Sequence, residues 1–340
     1  MTFAIRVAGT EIAFPCEANE FVLDAAERAG FAIPYSCRKG VCNTCEGALL
    51  SGEIDQQGKG PVRPKSDPVL MCRSRPRTDL QIQPKRIESI EPPVRKTLTA
   101  RVFRRTTPAP DVSILTLRFP IGVRAKFKAG QYLKVLMPDG DSRNFSMANP
   151  PHQNDGVELH IRHVPGGLFS EQMLPGLAVG SRLRVELPFG DFYLRSASEL
   201  PVVLLASGTG FAPIKSIVEN TIRQGSTRPM SLYWGARKRD DIYLHDLPAK
   251  WQAKFPWFSF IPVLSEAARD WSGRTGLVHR AVLEDFTDLS CVEVYACGNP
   301  LMIAAAQSQF SEGHGLPEDR FYSDAFVDSS LPQPAHQKTA

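Results

Sequence analysis

No apolar run in these 340 residues approaches the roughly 18 to 20 that a bilayer-spanning helix needs, the best being the five residues Val-Val-Leu-Leu-Ala at 202–206. A transmembrane helix is therefore not expected. Cysteine is scarce, seven in all and unevenly spread, too few for a disulfide framework. Charge of one sign is lacking as well. Forty Lys plus Arg against 36 Asp plus Glu leave a net +4, without the basic excess of a dedicated nucleic-acid binder. The first nine residues hold no basic region followed by an apolar run and a small-residue cleavage site, so a cytoplasmic protein is expected. No internal repeat is visible. With 42% hydrophobic and 22% charged residues the composition is that of a globular protein, and the length implies about two to three domains.

The texture changes along the chain. Up to about residue 88, alternation at 3–7 and 11–14 predicts a hairpin, and the apolar spacing at 22–29 predicts a helix that Gly30 ends. Pro92-Pro93 marks residues 89–97 as an extended linker. Residues 98–198 hold short alternating runs at 113–119, 132–136, 157–162 and 182–187 between Gly and Pro turns, which predicts an antiparallel β-barrel. From 199 to 327, the continuous apolar strand at 202–206 and helix-like segments at 214–224 and 301–310 predict an α/β domain with a parallel sheet. Residues 328–340 are polar and read as a flexible tail.

Four of the seven cysteines form a group. Cys37, Cys42 and Cys45 follow C-x4-C-x2-C spacing and Cys72 comes 27 residues later, the plant-type ligand spacing of a 2Fe-2S cluster. Ser36, Gly40 and Thr44 are small enough for the loop to wrap a cluster with backbone N–H groups facing sulfur. A structural zinc site and reduced structural thiols are the alternatives, but zinc ribbons show two C-x2-C knuckles and Cys72 stands alone. Cys16 and Cys291 fall outside the spacing and are expected to be core thiols. Through Tyr35-Ser-Cys-Arg-Lys-Gly-Val-Cys-Asn-Thr-Cys and Leu70-Met-Cys, residues 4–82 resemble a plant-type ferredoxin, which implies a β-grasp (α+β) fold. Free ferredoxins are typically acidic, whereas residues 1–90 carry 12 Lys or Arg against 11 Asp or Glu, as fusion to a reductase would permit.

The barrel region contains Arg143-Asn-Phe145-Ser146, which resembles the flavin motif of the ferredoxin-NADP reductase superfamily. Chemically, an Arg can neutralise a flavin diphosphate, an aromatic can pack beside the ring system, and a Ser hydroxyl can hydrogen-bond near N5, where hydride arrives. A second stretch, Arg162-His-Val-Pro-Gly166-Gly167-Leu-Phe-Ser170, offers glycines for close backbone approach and a Ser to cap a helix facing phosphate, with a plain turn as the alternative. FAD and FMN are not separated by spacing. The order ferredoxin, flavin barrel, nucleotide domain resembles the FAD-containing oxygenase reductases, which implies FAD.

Gly208-Thr209-Gly210, with Pro213 in the first turn of the following helix, sits where a nucleotide phosphate can approach the backbone after an apolar strand. Cys297-Gly298-Asn299-Pro300 resembles the superfamily's turn beside the nicotinamide, and Cys297 with Ser146 is assigned to the reacting centre. Arg237, Lys238 and Arg239 suit a 2′-phosphate, yet the Gly-Ala-Arg pattern followed by Asp240 and Asp241 resembles NADH-using reductases. NADH is expected, with Arg237 and Asp241 near the adenosine ribose. Phe326 resembles the aromatic that covers the flavin, with Asp324 as a proton or hydrogen-bond partner. Together the resemblance covers residues 4–326. Its module order is that of the NADH-dependent reductases serving Rieske dioxygenases and multicomponent monooxygenases, and it implies a reductase component passing electrons from NADH through FAD and a 2Fe-2S cluster to a terminal oxygenase, with a Rieske-type aromatic-ring dioxygenase preferred. The reductase partner of a deoxysugar dehydrase shares this module order. A nucleotide-sensing module with a zinc site is the alternative from another class.

Overall fold

Alternating burial along Thr2–Val7 puts Ile5 and Val7 inward and their neighbours outward, and the same period in Leu80–Pro84 buries Leu80 and Ile82. These two strands pair in parallel at the centre of a five-stranded sheet. Its order is Ala13–Glu17, Thr2–Val7, Leu80–Pro84, Glu46–Ser51, Val69–Leu70, and the remaining pairings are antiparallel. The helix Val22–Arg28 buries Val22, Leu23, Ala25 and Ala26. An α-helix against a mixed sheet is the β-grasp arrangement expected for the ferredoxin. The computed structural model describes residues 1–64 and 68–327 and divides into two compact units, residues 1–94 and residues from 95 onward. The tail expected over 328–340 lies outside the described residues.

The linker expected over 89–97 is shortened at both ends. Glu88–Ser89 pairs with Phe31–Ala32, and the Ile90 N–H donates to the Gly30 carbonyl at 2.8 Å. Lys96 and Thr97 already belong to the strand Lys96–Ala109, opposite Leu187 and Glu186. Backbone hydrogen bonding, invisible in a Pro-rich composition, extends order from both sides towards Pro92-Pro93.

In the second unit six antiparallel strands run in the order Ser142–Ser146, Tyr132–Leu136, Arg182–Phe189, Lys96–Ala109, Val112–Arg118, Gly156–Arg162. A bridge between Met147 and Leu159 joins the ends and curls the sheet into the expected barrel around Leu117, Leu133, Val135, Leu159 and Val185. The rest of the unit is an α/β layer structure: an all-parallel sheet in the order Arg274–Thr275, Phe258–Leu264, Met230–Ala236, Val202–Ser207, Glu293–Gly298, Phe321–Ala325, with the helices Phe211–Gln224, Asp246–Lys254, Val278–Asp285 and Pro300–His314 in its connections. Chain direction along the sheet reverses between Val202–Ser207 and Glu293–Gly298, so their carboxyl ends open on the crevice where such folds take ligands. The barrel is tied to the helix Phe211–Gln224 by Ser216 Oγ donating to the Asn149 carbonyl at 2.7 Å and by buried Lys215 donating to that of Ala148 at 3.2 Å.

Candidate functional site: a cysteine loop and a flavin–nucleotide crevice

The cysteine loop is coiled by two non-glycine residues in the left-handed region, Arg38 (φ 54°) and Asn43 (φ 55°), together with Gly40. Arg38 anchors it to the helix Val22–Arg28 by ion pairs with Asp24 and, at 2.6 Å, with Glu27, and its guanidinium lies 4.3 Å over the Tyr35 ring. The Lys39 N–H donates to Cys37 Sγ at 3.3 Å. All four thiols influence one another, most strongly Cys37 with Cys42 and Cys45 with Cys72. A hydrogen bond from the Cys42 thiol pulls Cys37 down to about 6, with help from backbone N–H groups of Val41, Lys39 and Cys42, and the same bond together with burial pushes Cys42 up. Cys45 is pulled down by Cys72, which is pushed up in turn by that bond and by burial. Two pairs of thiols with backbone donors fit a cluster whose two irons each take two thiolates. Among the described residues no group of three or more His, Cys, Asp or Glu is arranged around a single ion.

Cys16 is a core thiol as expected, fully buried and pushed up to about 12 by desolvation. Cys291 is not. It is exposed beside Ser290, in the turn that precedes Glu293–Gly298, so its apolar character did not decide its place.

On the barrel strand Ser142–Ser146, Arg143 and Phe145 share one face and Ser146 takes the other. Arg143 is mostly buried, with Nη1 donating to Asp141 at 2.5 Å and to the Ser142 carbonyl at 3.0 Å. Phe145 leans on the barrel core and meets Phe169 at 4.9 Å between ring centroids, which joins the two flavin motifs. The second motif is a tight turn, closed by the Gly167 N–H donating to the Val164 carbonyl at 2.8 Å, that leads into a short helix. Ser170 lies inside the six-residue π-helix Leu168–Met173, and its hydroxyl accepts the Val164 N–H at 3.0 Å. The cap expected of Ser170 is thus corrected: Gly167 holds that position, and Ser170 closes the turn over Gly166 and Gly167.

At the switch point three motifs interlock. A Cβ on Gly210 would stand 2.2 Å from the Cys297 carbonyl oxygen, and one on Gly298 would stand 2.4 Å from Ser207 Oγ, so each glycine lets the other turn approach. Ser207 Oγ accepts the Asn299 N–H at 2.8 Å, while Asn299 Oδ1 caps the helix Pro300–His314 at the Leu301 N–H. Pro213 sits in the first turn of the helix Phe211–Gln224, and Thr209 is buried. The Phe326 N–H donates to the Gly298 carbonyl at 2.7 Å. Cys297 is fully buried and its thiol is pushed up by desolvation and by Asp324, the residue opposite it on the neighbouring strand. Ser146 Oγ donates to Asp324 Oδ2 at 3.4 Å across 178 residues of sequence.

Arg162 lies against this crevice too: a Cβ on Gly208 would meet its Nη1 at 2.8 Å, and it pairs with Asp111 at 2.5 Å. Arg237 to Asp240 are exposed, and Asp241 Oδ2 accepts the Lys238 N–H at 3.0 Å.

Three family models match in succession. The 2Fe-2S iron-sulfur cluster binding domain covers residues 5–77, the oxidoreductase FAD-binding domain residues 99–193 and the oxidoreductase NAD-binding domain residues 204–308. Over 333 residues the chain is 41% identical to reductase component 1 of terephthalate 1,2-dioxygenase from Comamonas sp., which covers 97% of this chain and 98% of that one. The chain belongs to this family of three-domain iron–sulfur flavoprotein reductases.

The reductase is also 37% identical over 333 residues to the CDP-6-deoxy-L-threo-D-glycero-4-hexulose-3-dehydrase reductase of Yersinia pseudotuberculosis, covering 97% and 100% of the two chains. The crystal structure of the Amycolatopsis cytochrome P450 reductase GcoB superposes with a TM-score of 0.78 at 31% identity, over 97% of this chain and 100% of that one. It is thus an oxidoreductase whose cofactors are a 2Fe-2S cluster, FAD and a pyridine nucleotide, and the zinc-holding sensor falls away. No helix among the described residues is long and apolar enough to cross a membrane. Sequence reasoning missed Ser207, whose role needs both turns in view, and Trp234 and Tyr243, which no motif marks.

Proposed function

We propose that the reductase takes hydride from NADH and delivers electrons singly to a Rieske-type aromatic-ring dioxygenase in the cytoplasm, where pyridine nucleotide is kept reduced. Flavin chemistry supplies the conversion, since a flavin accepts two electrons as hydride and releases them one at a time to a cluster that takes one. The observation that carries this reading is the meeting of barrel Ser146 with Asp324 beside Cys297, which puts the flavin motif at the carboxyl ends of the nucleotide sheet. In this assignment Cys37, Cys42, Cys45 and Cys72 hold the cluster. Arg143 and the turn of Gly166, Gly167 and Ser170 bind the FAD diphosphate, with Phe145 and Phe326 flanking the ring. Gly208, Thr209, Gly210 and Pro213 receive the dinucleotide phosphates, Arg162 stands beside them, and Cys297, Gly298 and Asn299 seat the nicotinamide. Arg237 and Asp241 face the adenosine ribose. Ser146 hydrogen-bonds where hydride arrives.

The dehydrase reductase relative supports a second acceptor, a deoxysugar dehydrase. Purified protein should show flavin and cluster absorption with about two irons per chain. NADH should reduce it, and reoxidation should be faster with a Rieske dioxygenase component than with the dehydrase. Zinc in place of iron after anaerobic purification would reject the cluster assignment, and acceleration by the dehydrase alone would reject the dioxygenase.

A further inference from the structure

Trp234 is fully buried on the strand Met230–Ala236, directly opposite Ala206, and nothing in the nucleotide motif calls for an indole there. Its Nε1–H donates to the Gly208 carbonyl at 3.1 Å, and its ring stacks on Phe211 at 3.9 Å with an interplanar angle of 11°. One side chain therefore holds both ends of the turn Gly208–Gly210: the hydrogen bond fixes the first glycine, whose φ is +52°, and the stack fixes the first residue of the following helix.

Trp234 is itself held edge-on by Tyr243, with centroids 5.3 Å apart at 87°. The Tyr243 hydroxyl lies 2.8 Å from Nδ1 of His160, a buried residue of the barrel strand Gly156–Arg162. The direction of that bond can be derived. His160 Nε2 is 3.2 Å from Oε1 of Glu158, whose carboxyl stays ionised because His160 and Lys215 outweigh the burial that would raise it. A carboxylate only accepts, so Nε2 carries the ring proton and Nδ1 accepts from Tyr243. Burial keeps the imidazole neutral. All four groups, Glu158, His160, Tyr243 and Trp234, then have one defined arrangement.

We propose that Trp234 is a positioning residue for the nucleotide turn, and that Tyr243 and His160 connect it to the flavin barrel, so that the barrel helps to set the backbone that receives the dinucleotide phosphates. This rests on assigning the turn to those phosphates. The test uses holoenzyme, ADP-ribose as a redox-inert probe in calorimetry, and NADH–ferricyanide kinetics. Trp234→Phe keeps the stack but loses the donor. It should weaken ADP-ribose binding and raise KM for NADH by about five- to tenfold, the worth of one buried hydrogen bond, with kcat and flavin content unchanged. Tyr243→Phe keeps the ring and removes the hydroxyl. It should act in the same direction by about two- to threefold, and the double variant should be no worse than Trp234→Phe, because both act through one chain.

Unchanged ADP-ribose affinity in Trp234→Phe, or loss of its flavin, would overturn the positioning role. Unchanged affinity in Tyr243→Phe, or a double variant equal to the product of the singles, would overturn the connection to the barrel. Wild-type protein that reacts with NADH but does not bind ADP-ribose would instead defeat the assignment of the turn.

Discussion

The cysteine loop and the glycine turn are both short cradles of backbone, yet they are held in opposite ways. Arg38, Tyr35 and Glu27 secure the loop from within about fifteen residues of the cysteines, and Cys72 arrives with its neighbours, the Met71 N–H donating to the Cys45 carbonyl at 3.1 Å and Arg73 packing against Gly40. The glycine turn takes its constraints from the rest of its unit: Trp234 beneath it, Cys297 against Gly210, and Arg162 of the barrel over Gly208. Local fastening confines damage, whereas shared fastening spreads it. A lesion in the loop should silence one electron-transfer step and leave the other intact, and a lesion in the turn should disturb nucleotide binding and its alignment with the barrel together.

The largest effect follows from the loop. Cys42→Ser should abolish NADH-driven reduction of acceptors that draw on the cluster, while ferricyanide, reduced directly by flavin, keeps most of its activity. Iron content and the two assays on one preparation check this. Loss of ferricyanide activity with flavin still bound would break the contrast between the two regions.

Next comes Gly210→Ala. Its new methyl would stand 2.2 Å from the Cys297 carbonyl oxygen, backbone against backbone, so neither side can swing away. Overpacking costs about 1 to 3 kcal/mol, and at least tenfold in kcat/KM for NADH is expected with FAD retained. Ser146→Ala should be milder. Removing a hydroxyl that reaches Asp324 at a long 3.4 Å should slow flavin reduction in single-turnover mixing by about three- to tenfold, with flavin content unchanged. An unchanged rate would place Ser146 outside the reacting centre.

The same contrast explains what could be read from the sequence. C-x4-C-x2-C spacing is a local constraint, so the cysteine loop is legible without any fold. Strand alternation likewise gives Tyr132–Leu136 and Arg182–Phe189 in the barrel. The fourteen-residue strand Lys96–Ala109 escapes, because its run Phe103 to Pro108 is exposed on both faces, with Arg104 to Thr107 polar throughout, and shows no period to detect. Asp324 and Cys297 are legible only through resemblance, since adjacency across parallel strands is set by register rather than by spacing. Trp234 and Ser207 carry no local mark at all: each acts on a turn that the chain reaches elsewhere.

The smallest effect concerns nucleotide choice, where the fastening is weakest because Arg237 to Asp240 are exposed. Arg237, Lys238 and Arg239 attract a 2′-phosphate, and Asp240 and Asp241 offset that field. Asp241 also has a structural task, since its Oδ2 accepts the Lys238 N–H at 3.0 Å and closes the short helix Arg239–Asp241. Replacing both carboxylates by Asn is therefore the informative change, because an amide oxygen still accepts that N–H while the negative charge is gone. The site becomes more positive, so the ratio of kcat/KM for NADH to that for NADPH should fall, by about two- to tenfold given how strongly water screens exposed charges. Raising the salt concentration should shrink the difference, as the Debye length drops from about 10 Å at 0.1 M towards 3 Å at 1 M. A ratio indifferent to the double substitution at low salt would mean that nucleotide choice rests on shape in the turn rather than on charge beside it, and would bring this loop under the same shared fastening as the glycines.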